Sequence, residues 1–239
     1  MFRSLPLEVP VALTDDAIER IRTLIRSGEL VPGSRLPPEQ KLADELGLSR
    51  NSMREAVKAL QVARVLDARP GDGTYVTSLA PQLLLENFSA AIDLLQDDTL
   101  EDVMQIRLML EPVATARAAL QMDDQRLSEL RGLLQLMKES ATDPERTVGH
   151  DIAFHRTIIA ANDNPTLTSV LDGLSGRTVR ARVWRGLIEG DAAETSQAEH
   201  QAIYDALAAG DPELARAAAF IHVNTSARWL ERVLRQPSA

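Results

Sequence analysis

Residues 28–60 read GELVPGSRLPPEQKLADELGLSRNSMREAVKAL. Leu42, Ala43 and Leu46 stand at helical spacing and stop at Gly47, and Ser49 then offers a cap for another helix. In that next helix Met53, Ala56, Val57 and Leu60 recur at i, i+3, i+4 and i+7 and should face inward. Arg50, Asn51, Arg54 and Lys58 are left on the outer side, which is rich in hydrogen-bond donors. Two helices separated by GLS form a candidate helix-turn-helix.

Upstream, residues 16–27 place Ile18, Ile21, Leu24 and Ile25 on one helical face, with Thr14 or Asp15 as cap and Gly28 as stop. Downstream, VLDA (65–68) and TYVT (74–77) flank RPGDG (69–73), which predicts a two-stranded wing around a Pro/Gly turn. A charged outer face alone suits any small helical domain. The order helix, helix, capped basic helix, Gly-tipped hairpin is more demanding. The quoted stretch, followed by RPGDGTYV, resembles the winged helix-turn-helix of GntR-type bacterial transcription regulators over nearly all of residues 12–77. The resemblance implies that Arg35 holds backbone phosphate, that Arg50 and Arg54 reach guanine edges or phosphates, and that Gly71 and Gly73 of the wing enter the minor groove. An Arg on the first turn of a major-groove helix can pair both N7 and O6 of guanine, and Ser49, Asn51 and Ser52 add shorter-range donors. One departure is LQVARVL (60–66), where the family usually has a glycine near Ala63 or Arg64, so the turn into the wing is expected to differ.

Composition bounds what the rest can be. The 239 residues suffice for one large or two small domains; 3% aromatic residues with abundant Ala and Leu favour helices over sheets. There is no cysteine, so a bound metal would need imidazole and oxygen ligands. The longest uncharged run near a possible anchor, GTYVTSLAPQLLL (73–85), is far short of the ~20 residues of a membrane span, and a cytoplasmic location is expected. The net charge of -9 argues against nucleic acid until it is divided. Residues 1–78 hold 11 basic and 11 acidic side chains, the remainder 15 and 24, so the deficit lies wholly in the second part. Within residues 48–64, Arg50, Arg54, Lys58 and Arg64 face Glu55 alone, which marks where an anion would bind. The expected organisation is a winged helix-turn-helix in residues 1–78 and an all-α bundle of about seven helices in residues 79–239. The breaks between those helices are QDDT, QMDD, ATDP, NDNP, EGD and AGDP.

Three of the four histidines fall on apolar faces of this bundle. In HDIAFHRTI (150–158), His150 and His155 are five residues apart and diverge by about 140° on a helix, so they cannot share an ion. Asp151 and His155 share a face with Val148, Ile158, Ile159 and Asn162. His200 begins a stripe with Ile203, Tyr204 and Leu207, and His222 lies on the row Ala215, Ala218, Thr225, Trp229. Such residues are either separately hydrogen-bonded in the core or satisfied together by one divalent cation; spacing alone leaves both open. The pattern resembles the FCD domain of FadR-type GntR regulators over about residues 80–235, and in metal-binding members those positions correspond to Asp151, His155, His200 and His222. Three nitrogens and one oxygen suit Zn²⁺ or Ni²⁺.

Arg107 falls only about 60° from the stripe Val103, Ile106, Leu110, Val113, and two readings of it stand. It can pair with Glu111 one turn on, or, as the resemblance implies, clamp the carboxylate of a small effector such as a hydroxy acid or sugar acid. Of Arg177, Arg180, Arg182 and Arg185, one can line the same pocket, the others being expected at the surface. A metal-dependent hydrolase is the rival function, but His-Glu-x-x-His, a nucleophile elbow and a phosphate loop are all missing. A purely structural metal is the third reading. The reading adopted is a non-enzymatic, metabolite-responsive regulator, expected to act as a repressor and a homodimer on an imperfectly palindromic operator.

Overall fold

The computed structural model describes residues 11–94 and 99–235. The chain divides into two compact units, Met1–Asn87 and Phe88–Ala239. Among the described residues no helix is long and apolar enough to cross a membrane.

The second unit is helical throughout its described residues. Following the single turn α4 (Pro81–Leu84), which belongs to the first unit, come α5 (Glu86–Asp93), whose first two residues also do, and then α6 (Leu100–Ala119), α7 (Asp124–Glu139), α8 (Pro144–Ala160), α9 (Pro165–Ile188), α10 (Ala192–Ala208) and α11 (Pro212–Leu234). The sequence breaks become the joints, apart from QDDT, most of which lies outside the described residues. Asp123, Asp143, Asn164 and Asp211 cap α7, α8, α9 and α11 through their side chains, and proline begins the last three of these. Each such cap contributes about 1 kcal/mol, and proline at the first position forfeits no helical hydrogen bond. The main core joins α6, α7, α8, α10 and α11 through Ala118, Leu130, Leu134, Phe154, Ile158, Ile203, Leu207 and Ala215.

Helix α6 is rotated from its expected setting. Val103 is buried, but Ile106 and Val113, expected inside, are 41% and 47% exposed, and Met109 beside them is 67% exposed. The face that turns inward is Val103, Met104, Arg107, Glu111, Ala114, Thr115 and Ala118. The helix is apolar on two sides, and periodicity cannot say which side meets the bundle.

In the first unit α1 (Val11–Arg26) starts earlier than expected, since residues 11–14 contain nothing that breaks a helix; Thr14 and Asp15 therefore lie inside it rather than capping it. It packs with α2 (Glu39–Leu46) and α3 (Arg50–Val62) around Ala17, Ile21, Leu42, Ala43, Met53, Val57 and Leu60. Strands β1 (Leu66–Arg69) and β2 (Gly73–Val76) pair antiparallel with Leu66 opposite Val76 and Arg69 opposite Gly73. Residues 34–36 add an edge to β2: Leu36 N donates to Thr74 O at 2.8 Å and Val76 N to Ser34 O at 2.9 Å.

Two helix ends solve one problem with different residues. After α2, Gly47 adopts φ +66°, with Gly47 N donating to Asp44 O and Leu48 N to Ala43 O. After α3 the same double closure runs from Arg64 N to Gln61 O and from Val65 N to Leu60 O, and the left-handed position, φ +59°, is held by Arg64. An arginine thus holds the position that glycine holds after α2, within the same closure; a side chain bears the left-handed conformation at a cost of about 1–2 kcal/mol. Its ion pair with Glu86, 2.6 Å long between half-exposed side chains, recovers little of that. Arg64→Gly should melt at or slightly above the parent temperature, because relief of strain offsets glycine's greater unfolded-state entropy. Arg64→Ile should lose about 1–2 kcal/mol, since a β-branched residue tolerates this conformation least. Thermal melts of the two variants test the assignment, and equal losses in both would contradict it.

Candidate functional site

Asp151, His155, His200 and His222 come together from α8, α10 and α11, all buried, with one donor atom of each within 4.8 Å of every other. The Nε2 atom of His155 lies 3.2 Å from that of His200 and 3.1 Å from that of His222; Asp151 Oδ1 lies 2.9 Å from His200 Nε2 and 3.6 Å from His155 Nε2. Ligands 2.0–2.1 Å from a tetrahedral ion are about 3.3 Å apart, so these separations bracket what a first-row dication requires. His150 is half-buried and outside the cluster. Phe154 packs edge-on against His155 and His200, with ring centroids 5.6 and 5.1 Å away, and fixes both imidazoles.

The protonation pattern points the same way. His222 Nδ1 donates to Glu199 Oε2 at 3.0 Å, so its Nε2 carries a lone pair directed into the cluster. Burial, reinforced by His200, pushes the His222 pKa down to about 4 against the pull of Glu199, which leaves the ring neutral at ordinary pH. Burial alone would raise the Asp151 pKa, but Arg182 and hydrogen bonds from His155 and His200 outweigh it and hold the carboxyl well below its usual range. Three imidazole nitrogens cannot satisfy one another with the protons they carry, whereas a cation accepts all of them and the carboxylate together. The donor set fits a metal ion, and Glu199 would orient His222 from outside in the manner of carboxylate–histidine–metal arrangements. Glu199, itself held by Thr225 Oγ1 at 2.5 Å, carries no periodic signal in the sequence because it lies off the apolar stripe of α10.

The arginines are distributed differently from the sequence expectation. Arg107 is buried, with Nε 2.5 Å from Glu111 Oε1 and Nη2 3.3 Å from Glu111 Oε2, and its Nη1 donates to Thr178 Oγ1 at 3.0 Å. The i,i+4 pair is therefore formed. Burial opposes both charges, yet Arg107 is held charged above its usual pKa and Glu111 below its own, each by the other. Of the four arginines on α9 only Arg180 is exposed; Arg177 is buried, and Arg182 and Arg185 are nearly so, contrary to the expectation of a mostly solvated group. Arg182 pairs with Asp151, and Arg185 with Glu189 at 2.5 Å. A chamber of about 70 Å³ lies beside the cluster, bordered by Asp151, His222, Arg182 and Arg185.

The first unit presents a second candidate site. Ser49 caps α3 by accepting from Ser52 N, and Arg50, Asn51 and Arg54 are exposed on its first two turns. Arg54 Nη2 donates to Asn51 Oδ1 at 2.6 Å, which ties two of the outward donors together. Ser52, expected among them, is instead buried, with its hydroxyl 2.8 Å from that of Ser49; its position in the helix turns it toward the core and commits it to the cap. Arg35 donates to the carbonyl of Asp72 at the wing tip. A side chain at Gly73 would stand 2.7 Å from Arg35 Nε, so glycine is what lets Arg35 brace the wing. Gly71, φ +76°, is exposed at the tip.

Comparison with known proteins places both units. The gntR family of bacterial regulatory proteins matches residues 13–76 and the FCD domain residues 102–225. The HTH-type transcriptional regulator LutR of Bacillus subtilis is 28% identical over 205 residues, 84% of this chain and 93% of its own. The galactonate operon transcriptional repressor of Escherichia coli is 29% identical over 230 residues, 92% of this chain and 97% of its own. The solved structure of Streptococcus agalactiae GntR superposes with a TM-score of 0.64 at 27% identity, covering 91% of this chain and all of that one. A winged helix-turn-helix followed by an all-helical FCD domain defines a class of DNA-binding transcription regulators. The chain belongs to the GntR family of bacterial regulatory proteins, with an FCD domain as its second part.

The geometry separates the roles of neighbouring residues. His155→Ala should abolish Zn²⁺ binding and lower the melting temperature, while His150→Ala should keep both at parental values. Glu199→Gln should retain the ion with roughly ten- to a hundredfold weaker affinity. Metal analysis and chelator competition on the purified variants measure this, and equal metal content in the His155 and His150 variants would refute the shared site.

Proposed function

We propose that this protein is a metabolite-responsive repressor whose FCD unit binds a divalent metal, Zn²⁺ or Ni²⁺, and a small carboxylate effector that alters operator affinity. The observation that carries the reading is the buried Asp/His₃ cluster opening beside an arginine-lined chamber, in a chain that also bears an exposed basic recognition helix. Around the cluster, Arg182 pairs with Asp151, Arg185 with Glu189 and Arg107 with Glu111, while Glu199 is held by His222. A dication held there would add positive charge beside an arginine-lined chamber, which favours an anionic ligand. A relative named for the galactonate operon supports a hydroxy or sugar acid, since galactonate is a polyhydroxy carboxylate. Arg107 is the arginine that the family resemblance assigns to that carboxylate; in the structure it is paired with Glu111, and Arg182 and Arg185 are the arginines that border the chamber.

A hydrolytic role finds less support. Glu199 is engaged by His222 and Thr225, and Glu111 by Arg107, so neither carboxylate is free to act as general base. The outward apolar stripe of α6, Ile106, Met109 and Val113, is a face that a second copy would cover, in keeping with a homodimer on an imperfect palindrome.

On the DNA side, Arg50, Asn51 and Arg54 are assigned to reading, with Ser49 setting the helix start, Arg35 supporting the wing, and Gly71 and Gly73 shaping its tip. Arg54→Ala should weaken operator binding by about 1–3 kcal/mol without changing the melting temperature. For the parent protein, log affinity should fall linearly and steeply with log salt. Fluorescence anisotropy on operator DNA at several salt concentrations measures both; salt-independent binding, or parental affinity in the variant, would refute the assignment.

A further inference from the structure

The wing carries an arginine of its own. Arg69 ends β1, Gly73 begins β2, and Pro70, Gly71 and Asp72 form the exposed tip between them. Residues directly opposite each other in an antiparallel pair project to the same face. Arg69 is opposite Gly73, Asp67 is opposite Tyr75, and Arg35 forms a further bridge with Tyr75. One face of the wing therefore holds Arg35, Asp67, Arg69 and Tyr75. The other face, with Leu66 and Val76, is buried in the core of the unit.

The two arginines of the outer face are held in different ways. Arg35 commits its guanidinium to the carbonyl of Asp72 and stands against Gly73. Arg69 lies with its guanidinium carbon 4.2 Å from the centre of the Tyr75 ring, and the Tyr75 hydroxyl donates to Asp72 Oδ2 at 2.9 Å, which fixes the ring. Asp67 Oδ2 is 3.6 Å from Arg69 Nε, outside hydrogen-bond range. A cation held by a ring face keeps its N–H groups free for another acceptor. The Arg69 side chain is half exposed, and Gly73 opposite it has no side chain to cover it.

Charge then decides which acceptor suits. Asp67 and Asp72 offset Arg35 and Arg69, so the wing as a whole has little to hold the phosphates of arbitrary DNA. A guanidinium gains most where the negative potential is deepest, which in duplex DNA is a narrow, A·T-rich minor groove. A thin hairpin ending in Gly71 and Gly73 matches a groove about 6 Å wide, and such a groove adjoins the major groove that a reading helix occupies.

We propose that Arg69, held on Tyr75, enters the minor groove beside each half-site and gives the protein a preference for A·T pairs there. This rests on the reading of the first unit as the operator-binding module, and adds to it a residue that senses groove width instead of base edges. Tyr75 is a positioning residue, acting only through Arg69.

In the test, full-length protein selects duplexes from a random-sequence pool, and a selected duplex is remade with diaminopurine for adenine in the A·T pairs flanking the half-sites. That base keeps the major-groove edge of adenine and places an amino group in the minor groove, as guanine does. The selected duplexes should carry such A·T pairs, and the replacement should weaken parental binding roughly five- to tenfold by fluorescence anisotropy. Arg69→Lys keeps the charge but loses the planar stack and is more strongly hydrated. It should bind both duplexes equally while matching the parent on a mixed-sequence duplex within about twofold. Tyr75→Leu should lose most of the preference with Arg69 intact, and Tyr75→Phe should keep most of it. Selected duplexes without A·T pairs at these positions overturn the proposal, as does an Arg69→Lys or Tyr75→Leu protein that discriminates as the parent does. If Tyr75→Leu fails to fold, the exposed Arg69→Lys substitution decides alone. A parent that enriches no sequence overturns the operator reading itself, a different result from one that selects a site but ignores its minor groove.

Discussion

Burying hydrogen-bonding groups that cannot satisfy one another is the constraint around which the FCD unit is built. Three imidazoles and a carboxylate lie within a few ångströms at the junction of α8, α10 and α11, next to the largest apolar cluster of the unit. The protons they carry do not suffice to pair all four with one another. A cation at the centre would remove the conflict, and the surrounding side chains are compatible with one. Glu199 turns the His222 lone pair inward, Arg182 holds the second oxygen of Asp151, and Phe154 fixes two rings by edge contact.

The same constraint explains why so much charge lies inside a helical bundle. Buried ion pairs seldom add net stability, because desolvation consumes most of what attraction returns. Here they set charge balance and orientation. Arg107 and Glu111 neutralise each other one turn apart on α6, whereas Asp151 and Arg182 are matched across α8 and α9.

The DNA-reading unit obeys a simpler logic. Its core is a short three-helix cluster closed by the wing, and its reading face is what remains once Met53, Ala56, Val57 and Leu60 point inward. Two turns with left-handed residues, one a glycine and one an arginine, place α3 and the wing. Arg64 shows that such a turn is specified by its hydrogen-bond closure and by the burial of Leu66 two residues beyond it, more than by glycine itself.

Whatever depends on near neighbours along the chain could be read from the amino acids in order. Helical spacing, Asp and Asn caps, prolines at first positions and the breaks between helices were legible because each is a matter of a few residues. The inward direction of Asp151, His155, His200 and His222 was legible for the same reason, each lying on its own apolar stripe. Other features needed the assembled fold. Two-sided α6 could be oriented only by what it packs against, which turned Ile106 and Val113 outward and Arg107 inward. Ser52 differed from Asn51 by one residue of helix, and that rotation moved it from the reading face to the core. Arg182 found Asp151 thirty-one residues away, and Glu199 found His222 twenty-three residues away. A charged side chain carries no mark of its partner in local sequence, because the pairing is made by helices meeting in space, and burial then makes that pairing obligatory.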